Sequence, residues 1–215
     1  MEIETPPVDP AAFARDGYAG PFRAFSAGEM DAYRERIDRD VLARDGLDPR
    51  SRLQSRHLDA PEVLDLCLAP AIVERVAALL GESPVLWRSN FFEKPPGAPL
   101  FDWHRDGDIW GSLLAPMVNV SAWIAIDAAS NENACVEVVS RADEPRGDAA
   151  ARAMELAPGE FFLFDDSLRH RSAANGSTRR RLGLAARFTR AGTAIDESRL
   201  FPGYRRIDAA TRSPR

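Results

Sequence analysis

With 215 residues, 45% of them hydrophobic, the chain can bury one sizeable core, and sandwich or barrel folds of this length often form a single domain. Its formal net charge of −5 provides no basic footprint for a nucleic-acid polymer. No run reaches the roughly 18 apolar residues of a membrane span, and MEIETPPVDP lacks the basic and apolar regions of a signal peptide, so the sequence reads as a soluble cytoplasmic protein.

Residues 1–11 are polar and Pro-rich and read as a mobile arm ahead of a single domain over 12–215. Ser26 and Glu29 form a Ser-x-x-Glu capping box, and Met30, Tyr33, Ile37 and Val41 follow as one apolar stripe, predicting a helix over about 26–44. His57, in QSRHLDAP, precedes a second helix start at Asp59-Ala60-Pro61-Glu62 and suits a capping or surface role. Pro70 opens a third helix, with Ile72, Val73, Val76, Leu79 and Leu80 as its apolar positions and Gly81 as its stop. Cys67 and Cys135 are too few for a disulfide framework and lack zinc-site spacing; they read as buried, unreactive thiols.

From Pro84 onward the pattern is one of strands: VLWRSNFFEK, VNVSAWIAI, CVEVV, EFFLF and RLGLAARF, separated by Gly, Pro, Asn and Asp. No repeat or linker interrupts them. The expected fold is mainly β with flanking α: a double-stranded β-helix, or jelly roll, with the N-terminal helices packed outside it. In VNVSAWIAI, Val118, Val120, Ala122, Ile124 and Ile126 form an apolar face, leaving Asn119, Ser121 and Trp123 to look into the barrel.

His104 and Asp106 stand two apart in FDWHRDGDIW, and His170 lies 66 residues further on. Residues i and i+2 of an extended segment share a face, so one short stretch can offer an imidazole and a carboxylate to a single ion. Two histidines and a carboxylate on one face of an octahedron are the ligand set of non-haem Fe(II) oxygenases. On these three residues alone, a surface turn with a solvated charge pair reads equally well. In RLGLAARF, however, Arg181 shares a face with Gly183, Ala185 and Arg187, and small neighbours leave a guanidinium room for a two-pronged contact with a bound carboxylate.

The chain resembles the phytanoyl-CoA dioxygenase family of Fe(II)- and 2-oxoglutarate-dependent oxygenases. The likeness rests on WHRD, on VNVSAWIAIDAASNENACVEVV and on GEFFLFDDSLRHRSAANGSTRRRLGLAARF, which occur in the family's order and spacing. It implies His104, Asp106 and His170 as iron ligands, with Trp123, Ser172 and Arg181, eleven residues beyond His170, contacting 2-oxoglutarate. Asn90 matches a position lining the co-substrate pocket, and Gln54 is a further pocket candidate on the same grounds. DGYAGPFRAFSAGEM and VLWRSNFFEKPPG are similar to the subgroup containing the aliphatic halogenases of natural-product pathways. Those enzymes replace the carboxylate ligand with Gly or Ala to admit chloride. Here Asp106 is kept, which implies hydroxylation, desaturation or ring closure. Val138-Val139-Ser140-Arg141 departs from the family's Ile-Pro-Gly-Ser-His turn and bears on the substrate entrance.

The cofactors implied are Fe(II), 2-oxoglutarate as co-substrate, and O2. The substrate implied is a small metabolite: an amino acid, a nucleotide-like compound or a carrier-tethered acyl group. Arg88, which alternates with Asn90, and Arg187 could meet an anionic substrate or pair with a structural carboxylate, and Trp110 could wall the pocket on a lid-like loop. In Arg179-Arg180-Arg181, alternation turns Arg180 away from Arg181, and the first two arginines read as a solvated face. Two other classes compete: a jelly-roll metal enzyme without 2-oxoglutarate, such as an isomerase or simple dioxygenase, and a non-catalytic jelly-roll binding module. Arg181 speaks against the first, and the intact ligand set against the second.

Overall fold

The strands build two facing antiparallel sheets, seen in a computed structural model that describes residues 6–43, 52–200 and 203–214. The major sheet has the order β1 (Tyr18–Arg23), β8 (Glu160–Asp165), β5 (Val120–Ala125), β10 (Arg181–Thr189), β2 (Val85–Lys94), β12 (Ile207–Asp208). Facing it is a four-stranded sheet of β3 (Phe101–His104), β9 (Arg169–Ser172), β6 (Val136–Val139) and β7 (Arg152–Met154). A small ribbon pairs β4 (Leu114–Ala115) with β11 (Ala194–Ile195). This is the expected jelly roll.

The helices lie on the outer face of the major sheet. Asp9 caps α1 (Pro10–Asp16), its carboxylate accepting from the Ala11 and Ala12 amides at 2.9 and 3.2 Å. Because that helix starts at Pro10 and Val8 is buried in the core, the expected arm over 1–11 is already part of the fold by residue 8; residues 1–5 lie outside the described residues. The Ser26–Glu29 capping box opens α2 (Ala27–Arg36), but the helix then widens into a π-turn over Ile37–Leu42. Widening brings Leu42 round to the core side with Ile37 and Val41, whereas in a regular α-helix a residue five positions on lies roughly 140° away. Next come α3 (Pro61–Cys67) and α4 (Pro70–Leu80), the latter closed by Gly81 in the left-handed conformation at φ 76°.

Every residue of β5 and β10 is buried, because both faces of the sheet are covered. Outward, Val120, Ala122 and Ile124 join Leu182, Leu184 and Ala186 beneath Met30, Ile37, Val63 and Ile72. Inward, Trp123 and Ala185 meet Phe162, Phe164, Val136 and Val138 across the gap between the sheets. Asn119 and Ser121 are buried on this second face, Asn119 accepting from Trp87 Nε1 at 2.9 Å and donating to Ser121 Oγ at 3.0 Å.

Candidate active site

The site forms where the smaller sheet faces the middle of the larger one. His104, the last residue of β3, is the direct cross-strand partner of His170 in β9, and their rings are 4.1 Å apart between centroids. His170 therefore sits within a strand. Asp106 is not on the strand with His104: Arg105 is still extended, and Asp106 opens a short helix, α5 (Asp106–Trp110). The extended Arg105 preserves the same-face relationship anticipated for an i, i+2 pair.

Each histidine is oriented by the chain just before it. His104 Nδ1 is 2.8 Å from the Asp102 carbonyl and His170 Nδ1 is 2.9 Å from the Leu168 carbonyl. A carbonyl can only accept, so both Nδ1 atoms carry the proton and both Nε2 lone pairs remain free. Both Nε2 atoms lie 3.9 Å from Asp106 Oδ1, and the three candidate ligand atoms all lie within 4.8 Å of one another. Asp106 Oδ2 accepts from Arg187 Nη2 and Nε at 3.2 and 3.3 Å, leaving Oδ1 for the centre. Burial pushes the Asp106 carboxyl up, but Arg187, then the two histidines, outweigh this and hold it below its ordinary value. Burial lowers His170 to about 4, so its imidazole is neutral near pH 7. The donor set therefore fits a divalent iron ion.

A cleft opens onto these ligands and is lined in addition by Trp123, Phe162, Phe164, Ser172, Arg181 and Arg187. Arg181 is only 2% exposed, and neither a carboxylate nor a hydrogen-bond acceptor serves its guanidinium among the described residues. Burial lowers its pKa to about 10, so it stays a cation at neutral pH. Its guanidinium lies 5.2 Å from the centre of the Trp123 ring. An unanswered buried cation facing a cleft is costly unless a bound anion completes it, which is the fit a dicarboxylate co-substrate requires. The indole of Trp123 covers Gly183, where a Cβ would come within 2.2 Å of the ring. The small residues beside Arg181 thus make room for Trp123 as well as for a ligand.

The other sequence candidates lie elsewhere. Asn90 is not among the cleft-lining residues; its Oδ1 accepts from Arg88 Nε at 3.0 Å and Arg187 Nη1 at 3.2 Å. Arg88 also donates to Gln54 Oε1 at 3.0 Å and lies 4.4 Å from the centre of Trp110. Trp110 packs edge-on to Trp87, next to the cleft and not within its lining. His57 is neither a cap nor a surface residue: it is buried, its Nδ1 2.8 Å from Ser89 Oγ. Ser140 and Arg141 are not among the cleft-lining residues; Ser140 Oγ donates to Asp16, and Arg141 clamps the Ala14 carbonyl and Asp165. Arg180 is held between Asp38 and Asp127, and Arg179 pairs with exposed Glu132. Both thiols are buried, which pushes Cys135 up to about 11 and Cys67 higher still.

Sequence reasoning passed over Phe92, Phe101 and Arg171, which also line the cleft, and Lys94, which ties the end of β9 in place. The alternation of Phe92 with Asn90 could have marked the first. The others depend on long-range pairing.

A double-stranded β-helix that offers two Nε2 atoms and one free carboxylate oxygen at the floor of a cleft, with an arginine on its wall that no carboxylate pairs among the described residues, can hold a divalent metal ion beside a dicarboxylate. The chain belongs to the family described as phytanoyl-CoA dioxygenase (PhyH), which matches residues 13–183. It is 27% identical over 148 residues to 2-aminoethylphosphonate dioxygenase of the uncultured bacterium HF130_AEPn_1, covering 62% of this chain and 53% of that protein. The chain thus spans about half the length of this curated relative. Among solved structures it is similar to CytC3 with Fe(II) and alpha-ketoglutarate, at 26% identity and a TM-score of 0.79, covering 97% of this chain and 90% of that one. EctD from S. alaskensis with bound Fe shares the fold at 20% identity and a TM-score of 0.77, covering 87% and 77%. No helix among the described residues is long and apolar enough to cross a membrane.

Proposed function

We propose that the protein hydroxylates an unactivated C–H bond of a small metabolite, with desaturation or ring closure as variants of the same chemistry. The observation that carries this reading is the pairing of His104, Asp106 and His170 with a buried Arg181 that has no counter-ion among the described residues. Iron(II) and 2-oxoglutarate, when bound, supply the O2 activation that such a bond requires. His104 and His170 present neutral Nε2 atoms, and Asp106 presents a carboxylate steadied by Arg187. Arg181 is suited to clamp the distal carboxylate of the co-substrate, Ser172 to add a hydrogen bond and Trp123 to wall that end of the cleft. Val136, Phe162 and Phe164 exclude water from the centre.

The relative's name, which gives it a small phosphonate to act on, supports a small-molecule substrate here. An amino acid, a nucleotide-like metabolite or a carrier-tethered acyl group fits the same site, and retention of Asp106 favours oxygen transfer over halogen transfer.

Anaerobic mixing with Fe(II) and 2-oxoglutarate tests the assignment: a weak visible metal-to-ligand charge-transfer band is expected. Arg181→Ala should weaken co-substrate binding roughly 10–100-fold, the worth of a charge-assisted contact. Absence of the band, together with unchanged 2-oxoglutarate binding in Arg181→Ala, defeats this reading.

A further inference from the structure

Strand register places two arginines opposite each other inside the sandwich. Arg187 of β10 is the direct cross-strand partner of Arg88 of β2. Like charges in that relation destabilise a sheet unless something answers them. A bulge opposite the Arg187–Phe188 step adds Trp87 to the same side as Arg88, and the two side chains converge on Trp110.

Only one of the two arginines is answered. Arg187 has the Asp106 carboxylate at 3.2 Å. Arg88 has two neutral acceptors, Asn90 Oδ1 and Gln54 Oε1, each at 3.0 Å; its Nη1 has no acceptor, and no carboxylate pairs with it, among the described residues. It is partly buried, and Trp110, whose ring it covers, has a buried Nε1 that is also without a partner among the described residues. A partly buried guanidinium stacked on an indole, with free donors on both, is poised for an anion.

That anion is not the distal carboxylate assigned to Arg181. Arg181 and Arg187 are six residues apart on one strand, roughly 20 Å along the backbone at about 3.3 Å per residue. Arg88 stands at the Arg187 end, linked to the metal ligands through Asn90 and Arg187 by contacts of 3.0, 3.2 and 3.2 Å.

We propose that Arg88 is the anchor for an oxyanion carried by the primary substrate, a carboxylate or a phosphonate-type group, received by Arg88 Nη1 and the Trp110 indole N–H. This rests on the oxygenase reading above and narrows its substrate class: the carbon attacked lies a few bonds from an anionic group. Asn90 and Gln54 hold the guanidinium in place, and the repulsion between Arg88 and Arg187 is relieved when the substrate binds.

The test uses the full chain loaded anaerobically with Fe(II) and saturating 2-oxoglutarate, so that the metal and Arg181 are already engaged. Acetate, methylphosphonate and neutral acetamide are titrated by calorimetry and by the shift of the charge-transfer band. The anions should bind at least about tenfold more tightly than acetamide, and the stronger of the two identifies the oxyanion. Arg88→Gln should weaken anion binding about tenfold or more, Arg88→Lys should stay within about threefold, and 2-oxoglutarate affinity should hold in both. Anion affinity unchanged in Arg88→Gln, as for an anion on the iron, overturns the proposal, and so does wild-type protein that binds acetamide as well as acetate. The second comparison stands even if Arg88→Gln does not fold. The band of the loaded chain separates the two readings: a missing band counts against the oxygenase assignment, whereas a normal band without Arg88-dependent anion affinity counts only against the anchor.

Discussion

The Arg187 guanidinium grips one oxygen of Asp106, Oδ2, through both Nη2 and Nε, in a contact whose two side chains are 3% and 4% exposed. It thereby fixes which carboxylate oxygen faces the two imidazoles. Arg187→Gln removes the charge and the double contact while keeping a polar side chain. Metal affinity should fall 10–100-fold, about what loss of a group behind a ligand costs. Titration of the metal-free protein with Fe(II) under argon reads this directly, and an unchanged midpoint would show that Asp106 is held without Arg187.

Gly183 and Trp123 form a second dependent pair. A Cβ at position 183 would lie 2.2 Å from Trp123 Cζ2, and the indole is the surface on which Arg181 rests. Gly183→Ala should therefore destabilise the fold by about 1–3 kcal/mol through overpacking and weaken 2-oxoglutarate binding with it. Fe(II) affinity should change little, since no metal ligand moves. In the double variant Gly183→Ala/Trp123→Leu, the stability loss should be smaller than the sum of the two single losses, because the clash is shared. Additive losses in urea unfolding would mean that the ring and the glycine are not coupled.

What the sequence made readable was what depends on short-range pattern. β2 and the starts of β8 and β10 fall where the apolar alternation puts them, and Ser26, Pro61, Pro70 and Gly81 mark helix ends by local backbone chemistry. The inward face of Trp123 and Arg181 followed from period two, and the structure places both on the cleft. The π-turn at Ile37–Leu42 did not follow, because it is imposed by the sheet against which those residues pack. Nor did the pairing of Arg187 with Asp106 across 81 positions, the burial of His57 against Ser89, or the opposition of Arg88 and Arg187, which exists only once the β2–β10 register is set.

Lys94 shows the same kind of long-range dependence at the other end of β2. It lies opposite Arg181 in the β2–β10 pair, yet its ammonium turns away to donate to the carbonyls of Pro99 at 2.9 Å, Ser172 at 3.1 Å and Ala173. It thus ties the end of β9, and with it Ser172, to the turn after β2. Lys94→Met fills similar volume but leaves three carbonyls without their donor, each costing about 1–3 kcal/mol where water cannot reach it. A drop of several kcal/mol in urea unfolding is expected, with 2-oxoglutarate binding weakened in whatever protein remains folded. A variant as stable as the wild type would mean that water replaces the ammonium.

His57 gives the pH dependence its sign. Burial, opposed only weakly by Asp59, lowers its pKa from 6.5 to about 4, so the folded chain holds it neutral while the unfolded chain protonates it below 6.5. Between those values the unfolded state binds the extra proton. The stabilisation is complete above about pH 6.5 and is lost as pH falls toward 4, at about 1.4 kcal/mol per unit and roughly 3 kcal/mol in all. His170 shifts in the same direction, so the contribution of His57 is isolated by difference. His57→Gln can still bond Ser89 Oγ but does not titrate, and its stability should decline less steeply than that of the wild type from pH 6.5 down to 4. Urea unfolding of both metal-free proteins across that range measures the two slopes. Parallel curves would show that His57 has the same proton affinity folded and unfolded.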